Sequence, residues 1–165
     1  MQDKTDHQLN QWQEQKPGLD LDVMGLCARI LRTNNYLTKE IWDHHKSMGL
    51  SKGDFDVLAT LRRSGEPYTL TPTELYKATL LTSGAMTNRL DRLEEANFIE
   101  RVHSNEDRRS FLVKLSQQGF EKIEEAVQEH VENEQKLVAA LSQEEQAQLS
   151  GLLRKWLVNF EVSVI

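Results

Sequence analysis

The tightest constraint on this chain lies between residues 71 and 119. Thr71-Pro72-Thr73-Glu74-Leu75 leads into a short helix, which the spacing predicts from Thr73 through Ala78. Thr82 reads as a second helix N-cap, followed by Ser83, Gly84 and an apolar row at helical spacing. Two strand-like runs come next, Ile99–His103 and Phe111–Leu115, and the polar loop between them carries Asp107, Arg108 and Arg109. A pair of short helices followed at once by a basic hairpin leaves few folds open.

That order of elements predicts a winged helix-turn-helix, in which the second helix enters the major groove of DNA and the hairpin arginines meet the backbone or minor groove. At about 100° per residue, Met86, Leu90 and Leu93 form one stripe that should face the protein. Gly84, Asn88, Asp91, Arg92 and Glu95 fall opposite. The candidate DNA contacts are therefore Thr73, Thr82, Ser83, Gly84, Thr87, Asn88 and Arg92 on the helices, with Arg108 and Arg109 in the wing. Arg89 sits on the flank, about 60° from Met86, and leans towards the protein.

With 165 residues the chain is long enough for one domain with a core. No apolar run approaches a membrane span, and the polar N-terminus has no signal-peptide core, so a cytoplasmic protein without membrane partners is expected. The net charge of −6 argues at first against nucleic acid, but acid is concentrated near the C-terminus. Residues 60–115 hold nine Lys/Arg against eight Asp/Glu, whereas residues 116–165 hold four against nine. So weakly basic a surface should bind DNA poorly as a single copy, because phosphate neutralisation supplies most non-specific affinity. A homodimer would double the contacts.

The rest of the chain supports that expectation. Residues 1–18 form an extension with a short amphipathic helix around Leu9 and Trp12, broken by Pro17-Gly18, ahead of a single domain over 19–165. A long helix over 19–48 carries Val23, Leu26, Cys27, Ile30, Leu31, Leu37 and Ile41 at helical spacing. Ser51 and Asp54 pair as a capping box for the next helix, Asp56 lies off its core stripe, and Tyr68–Leu70 offers a short strand to the wing. Ser116 starts another long helix, and Ser142 with Glu145 caps a terminal one whose Leu149, Leu152, Leu153, Trp156, Leu157 and Phe160 form an apolar stripe. Helices over 19–48 and 116–163 that leave the winged region (51–115) with one apolar side need a partner, and a second copy in a two-fold contact is the economical one. The fold class is mainly α with a small β-wing. Two recognition helices about 34–36 Å apart would match a near-palindromic duplex site.

Asp107-Arg108-Arg109-Ser110 with Leu115-Ser116-Gln117-Gln118-Gly119 resembles the wing signature of the MarR family of bacterial regulators, and Arg89-Leu90-Asp91-Arg92-Leu93-Glu94 resembles its recognition helix. The likeness covers residues 20–163. The stretch Trp12-Gln13-Glu14-Gln15-Lys16-Pro17-Gly18-Leu19-Asp20-Leu21 is similar to the extension of the urate-responsive PecS/HucR branch. In that branch a tryptophan, an aspartate and two arginines bind urate, and Trp12, Asp56, Arg89 and Arg101 stand at the matching places. The resemblance implies a repressor released by urate or a similar purine. Urate is a planar anion, so Trp12 can stack on it, Arg101 can offer a bidentate fork and Asp56 can accept ring N–H groups. The bland alternative is ion pairing of both arginines with Asp56 or with wing and helix carboxylates, and plain packing of Trp12. Arg101 shares a strand face with Ile99, leans inward and needs an anion in either case.

Two other effectors compete: a phenolic or aromatic acid in a dimer cleft, and peroxide acting on Cys27. Some MarR relatives sense peroxide through one cysteine near the start of the first long helix, supported by tyrosines; Ile41 and Lys52 stand about where those would fall. A cysteine on an apolar stripe is usually a small buried hydrophobe. No cofactor or metal is expected. His44 and His45 are adjacent on a helix, point about 100° apart and read as a solvated helix end. There is no phosphate-binding glycine loop, nucleophile elbow or HExxH, so an enzyme is not expected. A winged helix that binds protein instead of DNA is the rival from another class.

Overall fold

The structure is a computed structural model. It describes residues 2–51, 53–79, 83–103 and 111–161, and for residues 83–85 the backbone only. The elements are α1 (Lys4–Gln15), α2 (Leu21–Ser47), α3 (Asp54–Arg63), β1 (Thr69–Leu70), α4 (Pro72–Ala78), α5 (Ser83–Glu95), β2 (Ile99–His103), β3 (Phe111–Leu115), α6 (Gln117–Leu137) and α7 (Gln143–Glu161). They fall into two compact units, Met1–His44 and His45–Ile165.

In the first unit, α1 is fastened to α2 by close packing and charge. Asp3 caps α1 in a reciprocal box with Asp6, and both carboxylates take Arg29 of α2, at 2.8 Å and 2.5 Å. Gly25 lets the helices approach, since a Cβ there would stand 2.9 Å from a methyl of Leu9. Trp12 is 46% exposed. Cys27 is exposed, contrary to the buried place that its apolar spacing suggests, and Val23, Leu26 and Leu31 of the same helix are exposed with it.

The second unit is the winged domain. Its sheet has the order β1-β3-β2, all antiparallel, with Arg101 opposite Val113 and Ile99 opposite Leu115. The two long strands have the ends that their alternation predicts, and β1 adds the expected edge. The core joins Val57, Leu58 and Leu61 of α3, Leu75 of α4, Met86, Leu90 and Leu93 of α5, Ile99, Val113 and Leu115 of the sheet, and Ile123 of α6. The α5 stripe read from the sequence is thus the buried one. α5 ends with Asn97 at positive φ, the N–H of Phe98 reaching the Leu93 carbonyl at 2.9 Å, a left-handed stop that turns the chain into β2.

Three local expectations are corrected. α4 begins at Pro72, because Thr71 is the N-cap and forms a box with Glu74. Ser51 does not cap α3 with its hydroxyl. The N-cap is Gly53, Asp54 is the first helical residue, and the Ser51 N–H and hydroxyl both donate to the Asp54 carboxylate. His45 is not a solvated end. It is 4% exposed, stacked on Phe55 at 4.3 Å, with its Nε2 3.1 Å from Nδ1 of His130 in α6. The predicted cap at Thr82 lies outside the described residues, whereas the Ser142–Glu145 box is present.

α6 is caught at its start by Ser116, whose hydroxyl accepts from the Gly119 N–H. A Cβ on Gly119 would fall 1.8 Å from the carbonyl oxygen of Phe98, on backbone that the β2 ladder fixes. Gly119→Ala should therefore destabilise the protein by about 3 kcal/mol, the upper range for a steric insertion into a packed site. Urea unfolding midpoints at one protein concentration test this, and an unchanged midpoint would contradict the packing.

Candidate nucleic-acid interface and effector site

α5 presents two surfaces. Met86, Leu90 and Leu93 hold it to the core, while Thr87, Asn88 and Arg92 are exposed on the other side. Thr73, on α4, is exposed too. Ser83 and Gly84 lie in the first turn of α5, while Thr82, Arg108 and Arg109 lie outside the described residues. The helix-turn-helix surface thus carries hydroxyl, amide and guanidinium donors, the groups that recognise phosphates and base edges.

The flanks of α5 are held by ion pairs. On one flank, Arg89 Nη1 and Arg92 Nη2 each lie 2.9 Å from the same carboxylate oxygen, Oδ1 of Asp54. Both also donate to the Ser51 hydroxyl. The side chains of Asp54 and Arg89 are only 11% and 12% exposed, whereas that of Arg92 is 53% exposed. On the other flank, Arg101 of β2 reaches back to α5, with Nη2 2.5 Å from Asp91 and Nη1 2.8 Å from Glu94. Its guanidinium also stands 5.2 Å from the ring centre of Phe111. Among the described residues, the buried Nε of Arg89 and that of Arg101 have no hydrogen-bond partner. A groove of ≈ 270 Å³ runs beside Arg101, lined with Pro72, Tyr76, Thr87, Leu90 and Phe111.

The structure therefore places Arg89 and Arg101 on the two flanks of one helix, both leaning inward as the helical wheel and the strand face implied. Asp56 is exposed and its carboxylate makes none of these pairs. Trp12 belongs to the first unit. Sequence reasoning missed Asp54 as the anion for α5. Its acid was visible only as a local partner of Ser51, and nothing in the spacing pointed 35 residues onward to Arg89.

No group of three or more His, Cys, Asp or Glu able to hold a metal occurs among the described residues, and no described helix is long and apolar enough to cross a membrane. A sequence model of the MarR family matches residues 48–110. The HTH-type transcriptional regulator PecS of Dickeya dadantii is 36% identical over 92% of this chain and 93% of its own length. The multiple antibiotic resistance protein MarR of Salmonella typhimurium is 34% identical over 81% of this chain and 92% of its own. Among solved structures, a cysteine mutant of Escherichia coli MarR complexed with operator DNA superposes with a TM-score of 0.71 at 29% identity, covering 82% of this chain and 96% of that one.

Asp54 also sets an acid limit on this arrangement. Burial pushes its carboxyl up, but hydrogen bonds from the Ser51 hydroxyl, the Arg89 guanidinium and the Ser51 amide outweigh that and hold it below the usual carboxylate range. A folded value below the unfolded one means that the unfolded chain takes the proton first as pH falls. The stability from Asp54 is then complete above the ordinary aspartate value of about 3.9 and is lost as pH drops through the folded value. Urea midpoints should fall more steeply in the parent than in Asp54→Asn between about pH 5 and about pH 3. Parallel curves would contradict it.

Proposed function

The chain belongs to the MarR family of transcriptional regulators, which bind operator DNA and act as dimers, and from that premise we propose that it is a repressor released by a small planar anion, urate or a similar purine. It is a regulator and not an enzyme, and with DNA as the family's ligand the protein-binding rival falls away. The DNA surface we assign is Thr73, Thr82, Ser83, Gly84, Thr87, Asn88 and Arg92, with Arg108 and Arg109 in the wing. Two copies related by a two-fold axis would set their α5 helices about one helical turn of DNA apart, roughly 34–36 Å.

The observation that carries the effector reading is the pair of inward guanidiniums. Arg89 and Arg101 lie on opposite flanks of the recognition helix, and each keeps a buried Nε without a partner among the described residues. A buried donor of that kind, on either flank, favours an anion that can accept from it. Both arginines are also the groups that tie α5 to its surroundings. An anion that draws on either one competes with Asp54, Asp91 or Glu94 and so changes how α5 is held. The ligand thereby favours a conformation whose two recognition helices no longer fit successive grooves. Trp12 would supply the stacking face and Asp56 the acceptor for ring N–H groups. Likeness to PecS along nearly the whole chain supports the same branch. The second reading, an aromatic acid, is favoured by the groove beside Arg101, where Phe111 and Tyr76 offer rings and Thr87 a hydroxyl.

The test is a titration of the purified protein onto the DNA upstream of its own gene, with and without urate. Tight binding released by urate supports the reading. Tight binding that ignores urate and yields to an aromatic acid moves the effector to the groove, and release by peroxide alone moves it to Cys27. Arg92→Ala and Arg109→Ala should each weaken DNA binding at least about tenfold, as for loss of one good contact, with the dimer intact. Trp12→Ala should blunt the urate response with little loss of DNA affinity, and Arg101→Ala should blunt it too. Two effector mutants that respond like the parent would remove the quartet.

A further inference from the structure

Arg89 and Arg92 stand three residues apart on one edge of α5, and both guanidiniums converge on a single oxygen of Asp54. The other oxygen is taken by the N–H and hydroxyl of Ser51. One carboxylate therefore serves two cations that differ in freedom: the Arg89 side chain is 12% exposed, that of Arg92 53%. Arg92 shares its exposed side with Thr87 and Asn88, so it is the member of the pair that can leave. When Arg92 turns to a phosphate or base, Asp54 still holds Arg89 and remains neutralised. When Arg89 is drawn to another anion, Arg92 is the cation left to a carboxylate that is almost fully buried, and a buried charge without a partner is costly.

We propose that Asp54 is a positioning residue that couples Arg89 to Arg92, so that loss of Arg89 to a bound anion pulls Arg92 back from DNA. The first half, competition between Asp54 and DNA for Arg92, stands without any effector. The second half rests on the effector reading of Arg89 given above.

A double-mutant cycle tests the first half without ligand. Asp54→Asn keeps the shape of the side chain, removes its charge and replaces one of its two acceptor oxygens by an N–H donor. It should raise DNA affinity severalfold and steepen the slope of log K against log salt by about 0.9, the value of one added phosphate contact. In an Arg92→Ala background the same change should leave the salt slope unaltered and should no longer raise affinity. Ser51→Ala, which removes the hydroxyl shared by both arginines and leaves the charge, should shift affinity in the same direction by less; it replaces Asp54→Asn if that variant melts early or loses its dimer. Effects of Asp54→Asn and Arg92→Ala that simply add, or an unchanged salt slope, would overturn the competition. For the second half, DNA bound by Asp54→Asn should need at least about tenfold more urate for release than the parent, a coupling of ordinary allosteric size. Release at the parental concentration would overturn the coupling. A parent that ignores urate defeats the effector reading and with it the second half, while the cycle without ligand still decides the first.

Discussion

A buried carboxylate at the first turn of α3 fixes the recognition helix. Asp54 could not lie there as a lone anion, because removing a charge from water costs several kcal/mol unless it is paired and hydrogen-bonded. Ser51 and the start of α3 provide part of the compensation, since the N-terminal end of a helix favours negative charge. The two arginines of α5 provide the rest. The same contact that makes Asp54 tolerable therefore sets the tilt of the helix that meets DNA. On the opposite flank, Arg101 repeats the principle with Asp91 and Glu94, and there the wing strand is the anchor. α5 thus packs on the core through aliphatic side chains and is aligned through ions. Packing of that kind is nearly rigid, whereas exchangeable ion pairs respond to whatever other charges arrive.

Much of this was legible in the chain. β2 and β3 have the bounds that their alternating residues predict, because a strand with one buried face must alternate and polar loops mark its ends. The Met86, Leu90 and Leu93 stripe and the Ser142–Glu145 box were equally plain, since both are set by residues three or four apart. What escaped was set by distant residues. Asp54 looked like a capping acid because Ser51 is near it in sequence, while Arg89 and Arg92 are not. His45 looked like a solvated helix end because Phe55 and His130, which bury it, lie in other helices. Cys27 follows the spacing of a core residue, yet its helix turns much of that face outward in the single chain.

That outward face is part of a wider pattern. The winged domain completes its own core, whereas α2 and α7 leave large apolar side chains exposed. Leu149, Leu152, Trp156, Leu157 and Phe160 all remain exposed on α7, which buries no residue within one chain. The sequence reads that stripe as a surface awaiting a second copy, and MarR regulators act as dimers.

The bare stripe of α7 has a consequence for the amount of protein a cell must hold. A helix that finds its apolar partners only across a two-fold axis is fully secured only in the assembled state, so stability and assembly share one equilibrium. Dilution would then act much like a denaturant, and the pool of DNA-competent molecules would fall faster than the total concentration. Such a molecule responds to its own abundance as well as to any ligand it binds.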